Sequence, residues 1–328
     1  MIEKCMEIIP QYDLVVKNTF RGRCAVIFDT NEGYKKMYEY AGTKGKLQYE
    51  YELANYLKDQ GFENVDGIVK TKEGELFACD EYETQYVLKD WFVGKDCNVK
   101  SERDVESGIM SLATLHKITE SVPNLKEIST VLESPYDECE RHNIELKRVK
   151  NYIRGKKHKV EFEYDILKHF EEYYNCAVEA TALLKNTSIS RMLEVANEKT
   201  TICHGNYNYH NIIFIGEKTA VTGFERGGIG LPVKDLYFYL RKVMEKHDWD
   251  LKLGYDLLEN YNKIRTISKD ETEVLKVLLM YPEKFWKVLN QYFNGNKAWI
   301  PDKNVDKLKK VYGAQARKEE FIKKMWSE

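Results

Sequence analysis

The spacing of apolar residues changes once along this chain, near residue 91, and that change limits what it can fold into. Before it, apolar and polar residues alternate with a period near two, as in half-buried strands. Segments 14–20 and 24–28 flank Arg21-Gly22-Arg23, which predicts a hairpin, and Asn31-Glu32-Gly33 turns into a third strand over 34–40. From Lys46 the period lengthens. Leu47, Glu50, Leu53, Ala54 and Leu57 recur at helical spacing until Gly61 stops them. Two more strands, 75–82 and 84–91, complete a small mixed unit. After Trp91-Phe92-Val93-Gly94 nearly everything reads as helix. ERDVESGIMSLATLHKI carries Val105, Ile109, Leu112 and Leu115 on one stripe, and long helices are predicted over 136–152 and 160–184. The expectation is a two-lobed α+β chain, with 1–91 rich in strand and 92–328 mainly helical.

A length of 328 residues suffices for two lobes, and 43% hydrophobic with 32% charged residues is the balance of a globular protein. The net charge of −2 gives no global reason to expect nucleic acid or membrane as a partner. No apolar run approaches the roughly 20 residues of a membrane span. The start, MIEKCMEIIPQYD, has no basic region followed by an apolar stretch, so no secretory signal is expected. Seven cysteines, scattered and without CxxC spacing, fit reduced thiols in a cytoplasm better than a disulfide framework or zinc site.

Chemistry is suggested by ICHGNYNYHNIIF, residues 202–214. A His-Gly pair opens a polar loop that leads into an apolar strand, a layout that presents side chains at a fixed point. No Ser/His/Asp nucleophile motif competes with it. The order of elements, together with RGRCAVIFDTNEGYKKMYEYAG, YVLKDWFVGKDC, LATLHK, CHGNYNYHNIIF, LPVKDLYFYLRKV and YPEKFWKVLNQYFNGNKAW, resembles the protein-kinase-like fold in its aminoglycoside-phosphotransferase branch. Within that branch the chain resembles the CotS-type spore coat proteins over nearly its whole length. The resemblance implies a setting in the forming spore: mother-cell cytoplasm, then coat, with other coat proteins as partners. It does not by itself imply catalysis.

The same resemblance assigns roles by position. The loop 204–211 is the place of the catalytic loop, where an Asp accepts the proton of the attacking hydroxyl and an Asn holds magnesium. Asn211 stands at the Asn position, and Asn206 stands where the Asp belongs. An amide cannot take the proton, and general-base catalysis is typically worth ~10²–10⁴ in rate. Glu50 occupies the helix Glu that pairs with a strand lysine. Tyr38 falls at that lysine's position, with Lys36 two residues earlier on the same face. Two readings of Lys36 stand, a displaced substitute or an ordinary surface lysine like Lys35. The metal motif 223–225 has Gly223 in place of its Asp, and Glu225 survives either as a metal carboxylate or as a structural partner of Arg226. On this alignment Gly223→Asp returns a carboxylate to the metal. Gly22 is the sole glycine left in the phosphate-covering hairpin. Arg21 and Arg23 either attract an anion or are solvated turn residues. His204 and Asp235 read as structural, the latter bracing the catalytic loop, and His116, Trp286 and Trp299 as packing. Trp91 begins the segment that would wall an adenine slot.

With Tyr38, Asn206 and Gly223 all carrying the wrong chemistry, the expectation is a pseudokinase with a structural or interaction role that binds ATP or ADP with Mg²⁺ weakly. The alternatives are a small-molecule phosphotransferase of aminoglycoside- or choline-kinase type with a metal site on Asn211 and Glu225, and a nucleotide-controlled switch. Residues 144–159, IELKRVKNYIRGKKHK, hold seven Lys/Arg and one Glu. That run is either a solvated helix face or a docking surface for acidic coat proteins.

Overall fold

The computed structural model describes residues 2–327 apart from 23, 124, 126–128 and 296–301, so Arg23 and Trp299 lie outside the described residues. The chain divides into two compact units. One comprises 1–131 with 199–229, the other 132–198 with 230–328.

The first unit is built on a sheet. Strands β1 (Val16–Gly22), β2 (Ala25–Thr30), β3 (Gly33–Glu39), β4 (Ala78–Cys79) and β5 (Gln85–Asp90) lie in the antiparallel order β1-β2-β3-β5-β4. Alternation sends Val26, Phe28, Met37, Tyr86 and Leu88 to one face. There they bury against Cys5, Ile8 and Ile9, residues of or next to the short helix α1 (Ile2–Ile8). That helix lies in a region whose pattern reads as strand. The predicted strand over 75–82 shrinks to two residues because Thr71 closes a turn instead, with its N–H donating to the Glu75 carbonyl at 2.9 Å.

The opposite face carries Val87 and Tyr38, packed with Leu47 of helix α2 (Lys44–Asp59). Thr43 caps α2 by accepting from the Lys46 N–H. The helix buries Leu47, Leu53 and Leu57, and with them Glu50, a carboxylate on an otherwise apolar stripe. Lys36 also lies on this face, paired in register with Lys89 of β5. Two lysines directly opposed across a ladder repel one another, so carboxylates must stand nearby.

Helix α3 (Glu102–Ile118) belongs to the same unit. Ser101 caps it, and Val105, Ile109, Leu112 and Leu115 bury completely. Further along lie β6 (Lys95–Asp96), β7 (Ile202–Cys203), β8 (Ile212–Ile215), β9 (Lys218–Val221) and β10 (Gly228–Ile229). β6, β8 and β9 form a three-stranded ribbon, and β7 pairs with β10. His116 is fully buried in this unit.

The second unit is helical. Helices α4 (Pro135–Gly155) and α5 (Glu161–Lys185) run antiparallel, as the contacts Asn143–Thr181 and Lys156–Glu163 require. α6 (Ile189–Lys199) follows, its last residue falling in the first unit. Then come α7 (Pro232–Met244), α8 (Leu251–Asn262), α9 (Lys269–Met280), α10 (Glu283–Asn294) and α11 (Asp302–Met325). Asp235 is buried in the first turn of α7. Trp286 stacks on His142 with ring centroids 3.4 Å apart. In the basic run, Leu146, Val149 and Ile153 face inward, while Lys147, Arg148, Arg154 and Lys157 are exposed. All seven cysteines are free thiols. Among the described residues no helix is long and apolar enough to cross a membrane.

Candidate functional site

The first unit holds Lys36, Tyr38, Glu50, Trp91, the 204–211 loop and the 223–225 motif, adds two residues that the sequence does not single out, and leaves Asp235 in the second unit. The 204–211 loop leaves β7 through His204 and Gly205. Gly205 has φ +74°, and a Cβ there would sit 2.0 Å from the Arg226 carbonyl, so only glycine fits. His204 is buried. Its Nε2 lies 3.1 Å from the Thr222 carbonyl and its Nδ1 3.3 Å from the Asn206 N–H, which ties the loop to the 222–225 segment. Asn208 donates from Nδ2 to the Asn206 carbonyl at 2.7 Å and to Asn211 Oδ1. The oxygen expected to ligate a metal is therefore already accepting a hydrogen bond within the loop.

The lysine that meets Glu50 is not on the third strand. It is Lys89 of β5, whose Nζ lies 2.5 Å from Glu50 Oε2 and 3.5 Å from Asp66 Oδ2. The side chains of Lys89, Glu50 and Asp66 are 3%, 3% and 8% exposed, so these are buried charges that must satisfy one another. Burial opposes the charge on Lys89, yet Asp66 and Glu50 hold its pKa well above the lysine range. Burial pushes the Glu50 and Asp66 carboxyls upward, and Lys89 offsets this only in part because one ammonium serves two acids. Tyr38, at the expected lysine position, is a phenol raised to about 12 by burial.

Asp66 makes a second contact that explains the 223 position. Both of its carboxylate oxygens accept from the Gly223 N–H at 3.1 Å. Gly223 has φ +90°, a left-handed backbone that side chains resist, and a Cβ there would lie 2.5 Å from Asn211 Nδ2. This geometry opposes the substitution Gly223→Asp, by which the family resemblance would return a carboxylate to the metal. The variant is expected instead to lose about 1–3 kcal/mol through backbone strain, with no gain in Mg²⁺ binding. Urea unfolding with and without Mg²⁺ checks both halves.

Lys36 is half-buried with its Nζ 4.3 Å above the Trp91 ring. Burial lowers its pKa, Asp66 opposes that, and Lys89 adds to it. Glu225 is exposed, and its charge acts on Lys36, Glu50 and Asp66. Lys35 corrects another expectation. It is buried rather than superficial, and it bonds Asp90 at 2.8 Å, an acid it shares with Lys58.

A magnesium–triphosphate complex needs one or two carboxylates turned to the metal and a lysine turned to the phosphates. Here the buried carboxylates Glu50 and Asp66 both pair with Lys89, and Asp66 also accepts from the Gly223 N–H. Among the described residues, no cluster of three or more His, Cys, Asp or Glu could hold a metal ion. Outside that pairing, Glu225 and Lys36 are the carboxylate and the lysine left in this region. Two sequence signals do point to the added pair: a lysine inside the apolar strand YVLKDW, and an acid in the tight connection ENVDG after α2.

Solved structures share this fold. An aminoglycoside phosphotransferase from Alicyclobacillus acidocaldarius superposes with a TM-score of 0.85 at 17% identity, over 98% of this chain and 94% of that one. Spectinomycin phosphotransferase in complex with AMP gives 0.63 at 13% identity, over 99% and 95%. At such identities the likeness shows the fold alone. Spore coat protein S of Bacillus subtilis (strain 168) is 23% identical over 166 residues, 50% of this chain and 47% of that protein, so the match spans about half of that relative. The family described as "Spore coat putative kinase YutH" matches residues 6–325, and the chain belongs to this spore coat family of kinase-like fold.

Proposed function

We propose that the chain is a pseudokinase, a non-catalytic component of the spore coat made in the mother cell. The observation that carries this reading is the closed circuit Glu50–Lys89–Asp66–Gly223. A lysine–glutamate pair alone is compatible with phosphoryl transfer, but here Lys89 carries a second acid, Asp66, which the Gly223 N–H holds in turn. Asn206 adds the loss of a base, since its amide cannot accept the hydroxyl proton. The kinase-like fold then serves as a scaffold. The exposed Lys147, Arg148, Arg154 and Lys157 of the 144–159 run supply a basic face toward acidic coat proteins.

Nucleotide binding is weak on this reading and indifferent to metal. An adenine slot would depend on apolar walls such as Trp91 and on backbone groups rather than on the missing acids. A ligand at one hundred times its dissociation constant stabilises a protein by about 2.7 kcal/mol. For a chain of this size we expect a melting shift of no more than about 2–4 °C with millimolar ATP or ADP, similar with and without Mg²⁺. A large shift that requires both ATP and Mg²⁺ would overturn the reading, because it needs a held γ-phosphate and metal.

A further inference from the structure

The helical unit contains a cavity of about 370 Å³, formed by α7 and the turn after it, the start of α10, and α11. That volume falls in the range of small-molecule sites, roughly 300–1,000 Å³. Its walls include Trp249, Tyr281, Phe285 and Val311, with Arg241 and Lys318 as buried cations. The residue that makes it more than a void is Arg241. Its side chain is 4% exposed, and Nη1 bonds Glu245 at 2.5 Å. Nε and Nη2 are buried with no hydrogen-bond partner among the described residues. These two nitrogens form the side edge of the guanidinium, the edge that takes a carboxylate through two parallel hydrogen bonds.

Of the four acids that line the cavity, Asp306 is exposed, and the other three are held in ion pairs. Glu245 divides itself between Arg241 and Lys284, the latter at 2.8 Å. Glu283, whose charge also acts on Arg241, lies 3.1 Å from Lys287 and 3.5 Å from His142. Asp248 pairs with Arg317 at 3.1 Å. Lys318 donates to the carbonyls of Met280 and Tyr281, at 3.3 and 3.0 Å, so its hydrogen bonds go to dipoles rather than to an anion. A buried guanidinium with an unpartnered bidentate edge is costly unless something accepts from it.

We propose that this cavity binds a small carboxylate with an apolar body, the carboxylate on the Nε/Nη2 edge of Arg241 and the body against Trp249, Phe285 and Val311. The site lies wholly in the helical unit and is independent of the Lys89 circuit. Calorimetric titration of the full chain with benzoate, phenylacetate and octanoate, each beside its primary amide, tests it. At least one acid should bind one-to-one with a dissociation constant of about 1 mM or tighter, and its amide at least about tenfold more weakly. Arg241→Gln should weaken the acid at least about tenfold, as should Val311→Phe, which fills the cavity and leaves the arginine in place. If Arg241→Gln does not fold, Val311→Phe decides. Equal binding of acid and amide, no saturable binding of any acid up to about 10 mM, or undiminished binding in folded Val311→Phe would each overturn the proposal.

Discussion

Replacing Lys89 by Met lowers stability at neutral pH by about 3–5 kcal/mol, the usual cost of removing one partner from a buried ion pair. Methionine fills the same volume, so the loss is electrostatic: Glu50 and Asp66 are left buried without their cation. The pH dependence follows from the direction of their shifts. Burial already raises both carboxyls in the native protein, and removing the ammonium raises them further. A carboxyl whose folded pKa is raised binds its proton more tightly in the fold than in the unfolded chain. Stability from that source is full below the unfolded value of about 4 and is lost as pH rises through the folded value. Urea midpoints of the native chain and Lys89→Met should therefore differ most near neutrality and converge on acidification. A gap independent of pH would mean that Lys89 contributes packing and not charge.

Asp66→Ala acts on the other end of the same circuit. It removes the acceptor of the Gly223 N–H and one of the two carboxylates that hold Lys89, leaving Glu50 in place. We expect a cost of about 2–3 kcal/mol, and hydrogen exchange at the Gly223 amide faster by at least about tenfold. Asp66→Asn keeps an acceptor oxygen, so it should protect the Gly223 amide better than Ala while still leaving Lys89 short of one charge. Identical exchange in native chain and Asp66→Ala would detach Asp66 from the 223 turn.

Much of this arrangement is legible in the sequence, because it rests on local pattern. The hairpin at Gly22, the third strand, the stripe that places Glu50 inward on α2 and the helix after Ser101 all follow from periodicity and capping. The expectation that Tyr38 stands where a lysine is usual comes instead from the family resemblance. Helix α1 escapes such a reading because seven residues give too few turns to display a helical period, and its burial depends on a sheet that forms later in the chain. Lys89 escapes it for a different reason. A lysine in a strand reads as solvent-facing until its counter-charge is located, and Glu50 lies 39 residues away on another element. Asp66 and the strained turn at Gly223 are 157 residues apart, a pairing that only the folded chain defines. Lys35 misleads in the same way, since its burial is set by Asp90 across the ladder. Local pattern thus predicts the scaffold, and long-range charge pairing decides the chemistry of the site.

Phosphoryl transfer itself remains the most direct test. Purified chain incubated with ATP and Mg²⁺ in a coupled ADP-release assay, across sugars, amino alcohols and aminoglycosides, should release ADP no faster than the variant Asn211→Ala/Glu225→Ala. That double change removes the two side chains that the family resemblance places at the metal. Acceptor-dependent ADP release by the native chain, abolished in the double variant, would show that Asn211 and Glu225 support catalysis despite the closed Lys89 circuit, and the pseudokinase reading would be wrong.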